Sequence, residues 1–168
     1  DLYVQATDRV CAFFEETTRE QRLKYKSKRR GSVNQGYFPM KETTVIHPDL
    51  VEGWVFCRRA FAFPENVSFQ ENDYWPRSGD EPFFRDVVQE HEKLIVPLMQ
   101  SILRYLGCDP HHYDQKLTGT NFGFRLNYYP PISEEDDKSG AGRMLGHEDV
   151  DLFTILPAQN VDGLQVLN

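Results

Sequence analysis

The chain has 168 residues, of which 39% are hydrophobic and 13% aromatic, enough for one domain with its own core and too few for two ordinary domains. Its formal net charge of −7 argues against nucleic acid or a membrane surface as a partner, because both attract basic proteins. No apolar run is long enough to span a bilayer. Cys11, Cys57 and Cys108 are scattered without paired spacing, which predicts reduced thiols in a cytoplasmic protein.

The N-terminal part is predicted to begin with a helix. Residues from Leu2 to about Lys26 place apolar side chains on one side of a helix among charged ones. Within this range Thr17–Glu20 resembles a capping box, which predicts a break and a second, short helix. For the basic cluster at 24–31 we expect a solvated loop; the alternative is a rim that attracts an anionic substrate.

The next stretch is predicted to be mostly irregular. Two glycines and a proline in Gly31–Pro39 predict a loop. Glu42–Phe63 mixes β-branched and aromatic residues with turn formers, which predicts short strands or extended segments.

The longest predicted helix runs from Glu81 to Leu106 and ends at Gly107. Pro97 lies inside it and should bend it. Apolar positions recur at three- and four-residue steps, which predicts a wide stripe facing the core. The stripe consists of Phe84, Val87, Val88, His91, Leu94, Ile95, Leu98, Ile102 and Leu106.

Three histidines near this helix are not predicted to bind metal. His91 lies on the apolar stripe and should be a packed, hydrogen-bonded residue. His111 and His112 follow Pro110 and should form a short exposed turn. Adjacent histidines on a strand would also point in opposite directions, which makes joint binding of one metal awkward.

Strand-like runs dominate the last third of the chain. They are Phe122–Tyr129, Val150–Leu156 and Gly163–Leu167, rich in β-branched and aromatic residues. The acidic, glycine-containing segment 133–142 has no hydrophobic periodicity and is predicted to be a solvated, mobile loop. Helices thus come first and strands last, which predicts an α+β fold.

A short motif at the start of the second run has the residues of a metal site. His147 and Asp149 are two positions apart, so on a strand their side chains project to the same face while Glu148 turns away. An imidazole and a carboxylate side by side supply two ligands of a 2-His-1-carboxylate site, which binds Fe(II) on one face and leaves the other open. Because a His-x-Asp pattern also arises by chance, its neighbours decide the interpretation.

These neighbours resemble a known family. The runs RLNYYPP (Arg125–Pro131) and LGHEDVDLFTILPAQNVDGLQVL (Leu145–Leu167) are similar to the isopenicillin N synthase-like superfamily of non-haem Fe(II) oxygenases, most of which depend on 2-oxoglutarate. The stretches FFEETTREQRLKY, GYFP, NDYWP and ILRYLG resemble the helical N-terminal region of that superfamily. The resemblance covers nearly the whole chain.

The resemblance implies a fold and a division of the chain. Residues 1–118 correspond to the helical N-terminal region. Residues 119–168 correspond to the start of a double-stranded β-helix, or jelly roll. The family's second metal-binding histidine and the Arg-x-Ser pair that anchors 2-oxoglutarate would lie beyond Asn168. The chain is therefore expected to be a fragment that is inactive alone.

The resemblance also implies roles for individual residues. His147 and Asp149 correspond to the first two metal ligands. Asn127 and Tyr129 correspond to positions that hold the oxoacid or the substrate carboxylate, where an amide and a phenol donate hydrogen bonds. Core packing is the alternative for Tyr129, whereas Tyr128 should point the other way and pack.

The activity implied is that of an oxygenase that uses Fe(II), 2-oxoglutarate and O2 to hydroxylate, desaturate or cyclise a small molecule. Use of 2-oxoglutarate is inferred from the majority of the family. One alternative is an oxoacid-independent Fe(II) oxidase of the isopenicillin N synthase type. Another is a metal-free jelly roll that only binds ligands, against which the intact His147 and Asp149 argue. The sequence predicts neither the substrate nor the oligomeric state.

Asp151 is a further candidate, with Arg125, for binding the substrate. On a regular strand Asp151 would face the same way as Asp149, inside the fold, where a carboxylate needs a partner. A backbone amide, an ordered water or Arg125 could fill that need, or a cationic group of the substrate. The third alternative is a bulge that turns Asp151 out to solvent.

Overall fold

The computed structural model describes residues 2–30, 33–42, 49–57, 75–118, 123–149, 151–157 and 161–167. The helices and strands in these ranges are α1 (Leu2–Glu16), α2 (Arg19–Leu23), β1 (Lys28–Arg30), β2 (Val33–Phe38), β3 (Glu52–Cys57), α3 (Asp80–Tyr105), α4 (Asp114–Leu117), β4 (Gly123–Tyr128) and α5 (Glu134–Lys138). The fold thus mixes helices with a small antiparallel sheet. No helix in these ranges is long and apolar enough to cross a membrane.

The four strands form one antiparallel sheet in the order β1-β2-β3-β4. Trp54 of β3 lies opposite Tyr37 of β2 on one side and opposite Leu126 of β4 on the other. Glycine is required at position 53, because a Cβ there would lie 1.9 Å from the Leu126 carbonyl oxygen. The register between β3 and β4 decides which β4 side chains face the core.

Aromatic side chains of the sheet, α1 and α3 form the main core. Phe13 of α1 meets Trp54 edge-on with 5.2 Å between ring centroids. Tyr128 stacks on Phe14 at 4.5 Å, which confirms the prediction that Tyr128 packs. Burial of these rings provides a large hydrophobic contribution, and their pairing geometry adds to it.

A buried polar network joins the helices to the sheet beside this core. Its members Arg22, Tyr37 and Glu52 are each less than a tenth exposed. Arg22 lies 3.5 Å from the Glu52 carboxylate and donates to the Phe14 carbonyl at 3.0 Å. The Tyr37 hydroxyl donates to the other Glu52 oxygen. Because a buried charge needs partners, losing one member would leave the others unsatisfied.

The predicted break in the first helix is confirmed, one residue later than expected. Thr18 is the N-cap of α2; its hydroxyl accepts from the Gln21 amide, and the Gln21 side chain accepts from the Thr18 amide. The capping box therefore uses Thr18 and Gln21. The Thr17 hydroxyl instead donates to the Phe13 carbonyl at 2.6 Å, at the end of α1.

The long helix α3 confirms the prediction within one residue at each end. Only the first half of its apolar stripe packs on the main core, through residues such as Phe84 and Val88. In the second half Leu94 and Leu98 remain exposed, at 42% and 39%. A different face of the helix, including Met99, packs against α4 in a second, smaller cluster.

The predicted order of helices first and strands last is wrong, since β1, β2 and β3 precede α3. β2 forms where the glycine and proline content predicted a loop. Pairing with β3 outweighs that local preference, and Gly36 adopts a φ of 119° within the strand. β1 likewise occupies part of the basic cluster at 24–31. β3 confirms the strand predicted within 42–63; residues 43–48 and 58–63 lie outside the described ranges.

Toward the C-terminus the strand at Phe122–Tyr129 is confirmed by β4, with Phe122 outside the described residues. Residues 151–157 and 161–167 form no strand, so the strands predicted at 150–156 and 163–167 are wrong for these residues. A strand requires a paired neighbour, and none of the described segments pairs with them. The segment 133–142 is largely exposed, as predicted for a solvated loop, but Glu134–Lys138 within it form the short helix α5, which Ser133 caps.

The buried network of Arg22, Tyr37 and Glu52 should make the free energy of unfolding depend on pH in the alkaline range. Burial, with a smaller contribution from the hydrogen bond to Glu52, raises the pKa of Tyr37 to about 12. The native protein therefore keeps a proton that the unfolded chain, with a tyrosine pKa of about 10, releases. The stabilisation that the protonated Tyr37 provides is complete below pH 10. It should be lost between about pH 10 and 12, which would reduce the free energy of unfolding by roughly 2–3 kcal/mol.

Urea unfolding of Tyr37→Phe across this pH range should show a correspondingly shallower decline than the wild type. Tyr105→Phe is the matched control, because Tyr105 is 90% exposed. Parallel declines of the wild type and Tyr37→Phe would contradict the role given to Tyr37.

Candidate metal centre

Strand β4 presents the polar residues singled out in the sequence on its outer face. Side chains of β4 alternate, and Arg125 and Asn127 are exposed whereas their neighbours are half-buried. Tyr129 continues this alternation just after the strand and is 46% exposed. The Arg125 guanidinium lies 4.6 Å from the centre of the Phe38 ring. Partial desolvation lowers the pKa of Arg125, and the charges of Tyr129 and Asp49 act in the opposite direction.

The chain between β4 and the metal motif is attached to the turn after β2. Lys41 and Asp136 of α5 form an ion pair at 2.6 Å. The hydrogen bond from Lys41 lowers the pKa of Asp136, and a hydrogen bond from Ser133 acts in the same direction. Arg143 donates to the Pro130 carbonyl. Exposed pairs of this kind stabilise a protein little, but they restrict the path of the chain toward residue 147.

A buried anchor fixes the backbone immediately before the motif. The Leu50 amide donates to the Gly142 carbonyl at 2.7 Å. The Leu145 amide donates to the Asp49 carboxylate at 3.3 Å. Asp49 and Leu50 are 2% and 1% exposed, so these two hydrogen bonds join the backbone before the motif to buried residues just before β3.

His147 is oriented by the backbone of this anchored segment. Its Nδ1 lies 2.8 Å from the Leu145 carbonyl oxygen. Because a carbonyl only accepts hydrogen bonds, Nδ1 is the donor. In the neutral imidazole Nε2 then carries the free lone pair, the arrangement common among metal-binding histidines.

Asp149 lies beside this nitrogen. Its Oδ1 is 3.6 Å from Nε2 of His147, while its Oδ2 accepts a hydrogen bond from the Thr154 hydroxyl at 2.6 Å. The adjacent Phe153 packs against Met99 and its neighbours in the second cluster. The carboxylate is therefore held from the side away from His147.

The spacing of the pair fits a shared metal ion. Two donors bound to one metal through bonds of about 2.1 Å lie roughly 3.0–3.6 Å apart for bond angles of about 90–120°. Nε2 of a neutral imidazole and the carboxylate oxygen are both electron-rich, so a cation bound to both would be attracted by both. Within the described ranges no group of three or more histidine, cysteine or acidic side chains could hold a metal. His147 and Asp149 therefore form a pair of possible ligands, without a third one among the described residues.

The structure brings His147 and Asp149 together without the strand on which that prediction rested. Residues 145–149 are irregular, and both side chains are about half exposed. Asp151 lies exposed at a bend rather than on a regular strand. Glu148 is exposed as well.

Three other histidines, His91, His111 and His112, lie in the described ranges. Both ring nitrogens of His91 are engaged, Nδ1 with the Val87 carbonyl at 2.7 Å and Nε2 with the Tyr3 hydroxyl at 2.9 Å. His111 is exposed and lies 2.8 Å from the Asp114 carboxylate. His112 follows in the same exposed turn. Cys11, Cys57 and Cys108 all lie in the described ranges, and none of them forms a disulfide there.

Asp49 and Thr154 contribute to the site without having been predicted from the sequence. Asp49 holds Leu145 from 96 positions away, and no local pattern predicts such a contact. Thr154 could have been noticed in the sequence, because a hydroxyl within the apolar run LFTIL indicates a side chain that needs a hydrogen-bond partner.

No family model and no solved structure matches the chain, but curated proteins do. The chain is 31% identical over 125 residues to the DMR6-like oxygenase 1 of Arabidopsis thaliana. The matched residues cover 72% of this chain and 34% of that protein. It is 26% identical over 161 residues to a flavonol synthase/flavanone 3-hydroxylase of Eustoma exaltatum subsp. russellianum, 92% of this chain and 44% of the relative. Gibberellin 20 oxidase 1-B of Triticum aestivum is 36% identical over 77 residues, 46% of this chain and 20% of the relative.

These relatives are an oxygenase, a hydroxylase and an oxidase by name, and the similarity confirms the resemblance seen in the sequence. The chain belongs to the isopenicillin N synthase-like superfamily of non-haem Fe(II)- and 2-oxoglutarate-dependent oxygenases. It spans less than half the length of the relatives it matches.

The packing of Phe153 generates a prediction about stability. Phe153 is half-buried against the second cluster, so Phe153→Ala should lower the free energy of unfolding by about 1–2 kcal/mol, less than for a fully buried ring. Leu152→Ala is the matched control, because the side chain of Leu152, next to Phe153, is 70% exposed. This substitution should lower the free energy of unfolding by less than about 0.5 kcal/mol. Equal losses in urea unfolding of the two variants would contradict the packing described.

Proposed function

We propose that the whole protein is an Fe(II)- and 2-oxoglutarate-dependent oxygenase that hydroxylates, desaturates or cyclises a small molecule. The observation that carries this proposal is the convergence of His147 Nε2 and Asp149 Oδ1 at 3.6 Å, each side chain being held by a separate hydrogen bond. Membership of the oxygenase superfamily supports the same chemistry.

The proposed metal ligands are His147, Asp149 and a histidine beyond Asn168. The lengths of the relatives support a third ligand outside this chain. We also propose that residues 119–168 begin a jelly-roll core and that residues 1–118 form the region packed against it.

The residues of this chain would bind and orient the reactants. Asn127 and Tyr129 can donate hydrogen bonds to the carboxylate of the oxoacid or the substrate. Arg125, on the same face of β4, adds a positive charge for the anionic reactant. Asp151 is proposed to receive a cationic group of the substrate. A bound iron would allow O2 to oxidise the substrate, with the substrate and 2-oxoglutarate both supplying electrons.

The ligand assignment predicts different effects for three neighbouring residues. In the full-length protein His147→Ala and Asp149→Asn should weaken Fe(II) binding by more than the 10–100-fold typical of residues that only support a ligand. Glu148→Gln is the matched control, since it removes a carboxylate from the residue between the two proposed ligands, and it should retain both iron and turnover. Anaerobic Fe(II) titration measures this, and iron loss by Glu148→Gln comparable to that of Asp149→Asn would refute the assignment.

The use of 2-oxoglutarate has a direct test. The full-length protein with Fe(II) and O2 should convert 2-oxoglutarate to succinate, and His147→Ala should not. The 168-residue chain alone should form no succinate, because a third ligand is missing from the site. Substrate oxidation without any succinate would favour the isopenicillin N synthase type of oxidase. Ligand binding without metal would favour the binding-only alternative.

A further inference from the structure

We propose that Thr154 is a positioning residue that holds the Asp149 carboxylate so that only Oδ1 is presented to the metal. This inference rests on the proposed function. It concerns a hydroxyl that lies five residues after the carboxylate it contacts, at the far side of the bend that contains Asp151.

The geometry of the contact assigns the direction of the hydrogen bond. Thr154 Oγ1 lies 2.6 Å from Asp149 Oδ2. A carboxylate accepts hydrogen bonds, so the hydroxyl donates. The distance is that of a charge-assisted hydrogen bond, which is about twice as strong as one between neutral groups. The same carboxylate turns its other oxygen toward His147 at 3.6 Å.

The consequence concerns how many positions of the metal the carboxylate fills. The carboxyl torsion of aspartate is soft, so without a partner both oxygens can turn toward a cation. A carboxylate that binds through both oxygens fills a position that this class of site leaves open for oxygen and organic ligands. A hydrogen bond to Oδ2 favours binding through Oδ1 alone.

Thr154 is itself well placed to fix this orientation. The flanking side chains Phe153 and Ile155 are half-buried, and Phe153 packs on the second cluster. The backbone of Thr154 is therefore attached to the rest of the fold. Threonine is also β-branched, so few rotamers of its side chain are populated.

A purely structural role predicts a different outcome from a positioning role. Thr154 and Asp149 are both exposed, and an exposed hydrogen bond adds little to the free energy of unfolding. Removing the hydroxyl should therefore leave the unfolding midpoint of the metal-free protein unchanged. Metal affinity should fall, because residues that orient a ligand typically contribute 10–100-fold.

The test uses the full-length protein with Co(II), whose visible absorption reports its coordination. Thr154→Val keeps the shape of the side chain and removes the donor, and it should raise the Kd for Co(II) about tenfold. Thr154→Ser keeps the donor and should restore most of the affinity. Thr118→Val is the matched control, since the Thr118 hydroxyl donates to the Gln115 carbonyl at 2.9 Å and has no link to the motif. It should bind Co(II) like the wild type.

Three results would overturn the inference. The first is an unchanged Kd for Co(II) in Thr154→Val. The second is a loss of Co(II) affinity in Thr154→Ser equal to that in Thr154→Val. The third is unfolding of the metal-free Thr154→Val protein, which would show that the hydrogen bond is structural. The His147→Ala variant separates these failures from failure of the proposed function. If His147→Ala loses Co(II) while Thr154→Val retains it, only the role of Thr154 is wrong. If His147→Ala binds Co(II) like the wild type, the metal site itself is wrong.

Discussion

The pairing of β3 with β4 is the constraint on which the rest of the structure depends. Six residue pairs join the two strands, from Glu52–Tyr128 to Cys57–Gly123, and Gly53 allows the close approach of their backbones. Because side chains alternate along a strand, this register turns the even-numbered residues of β4 toward the aromatic core. The odd-numbered residues, which include the polar candidates for binding reactants, face outward.

The same segment of chain also positions the metal motif. Asp49 and Leu50, just before β3, form hydrogen bonds with the backbone of Leu145 and Gly142. A second attachment lies beyond the motif, where Phe153 packs on the cluster between α3 and α4. Between these two attachments the imidazole and the carboxylate each have one fixed partner. The pair is thus held by contacts at both ends of an irregular segment.

Much of this arrangement could be predicted from the sequence, and the misses have physical causes. The long helix, the break near Thr18 and the packing of Tyr128 depend on local periodicity and capping, which a sequence displays. The strand β2 was missed because pairing with β3 outweighed its glycine and proline content. The strand expected after the motif was wrong because strands depend on neighbours that a local pattern cannot reveal. The hydrogen bond from Leu145 to Asp49 spans 96 positions and left no local signal.

The proposed metal site can be tested directly by the position of iron in crystals of the full-length protein grown anaerobically with Fe(II). Anomalous diffraction at the iron edge locates the ion without assumptions about its ligands. We expect a single peak at bonding distance, about 2.1 Å, from His147 Nε2 and from Asp149 Oδ1, with Asp149 Oδ2 still hydrogen-bonded to Thr154. A peak bonded through Nδ1 of His147, or a peak away from this pair, would contradict this expectation.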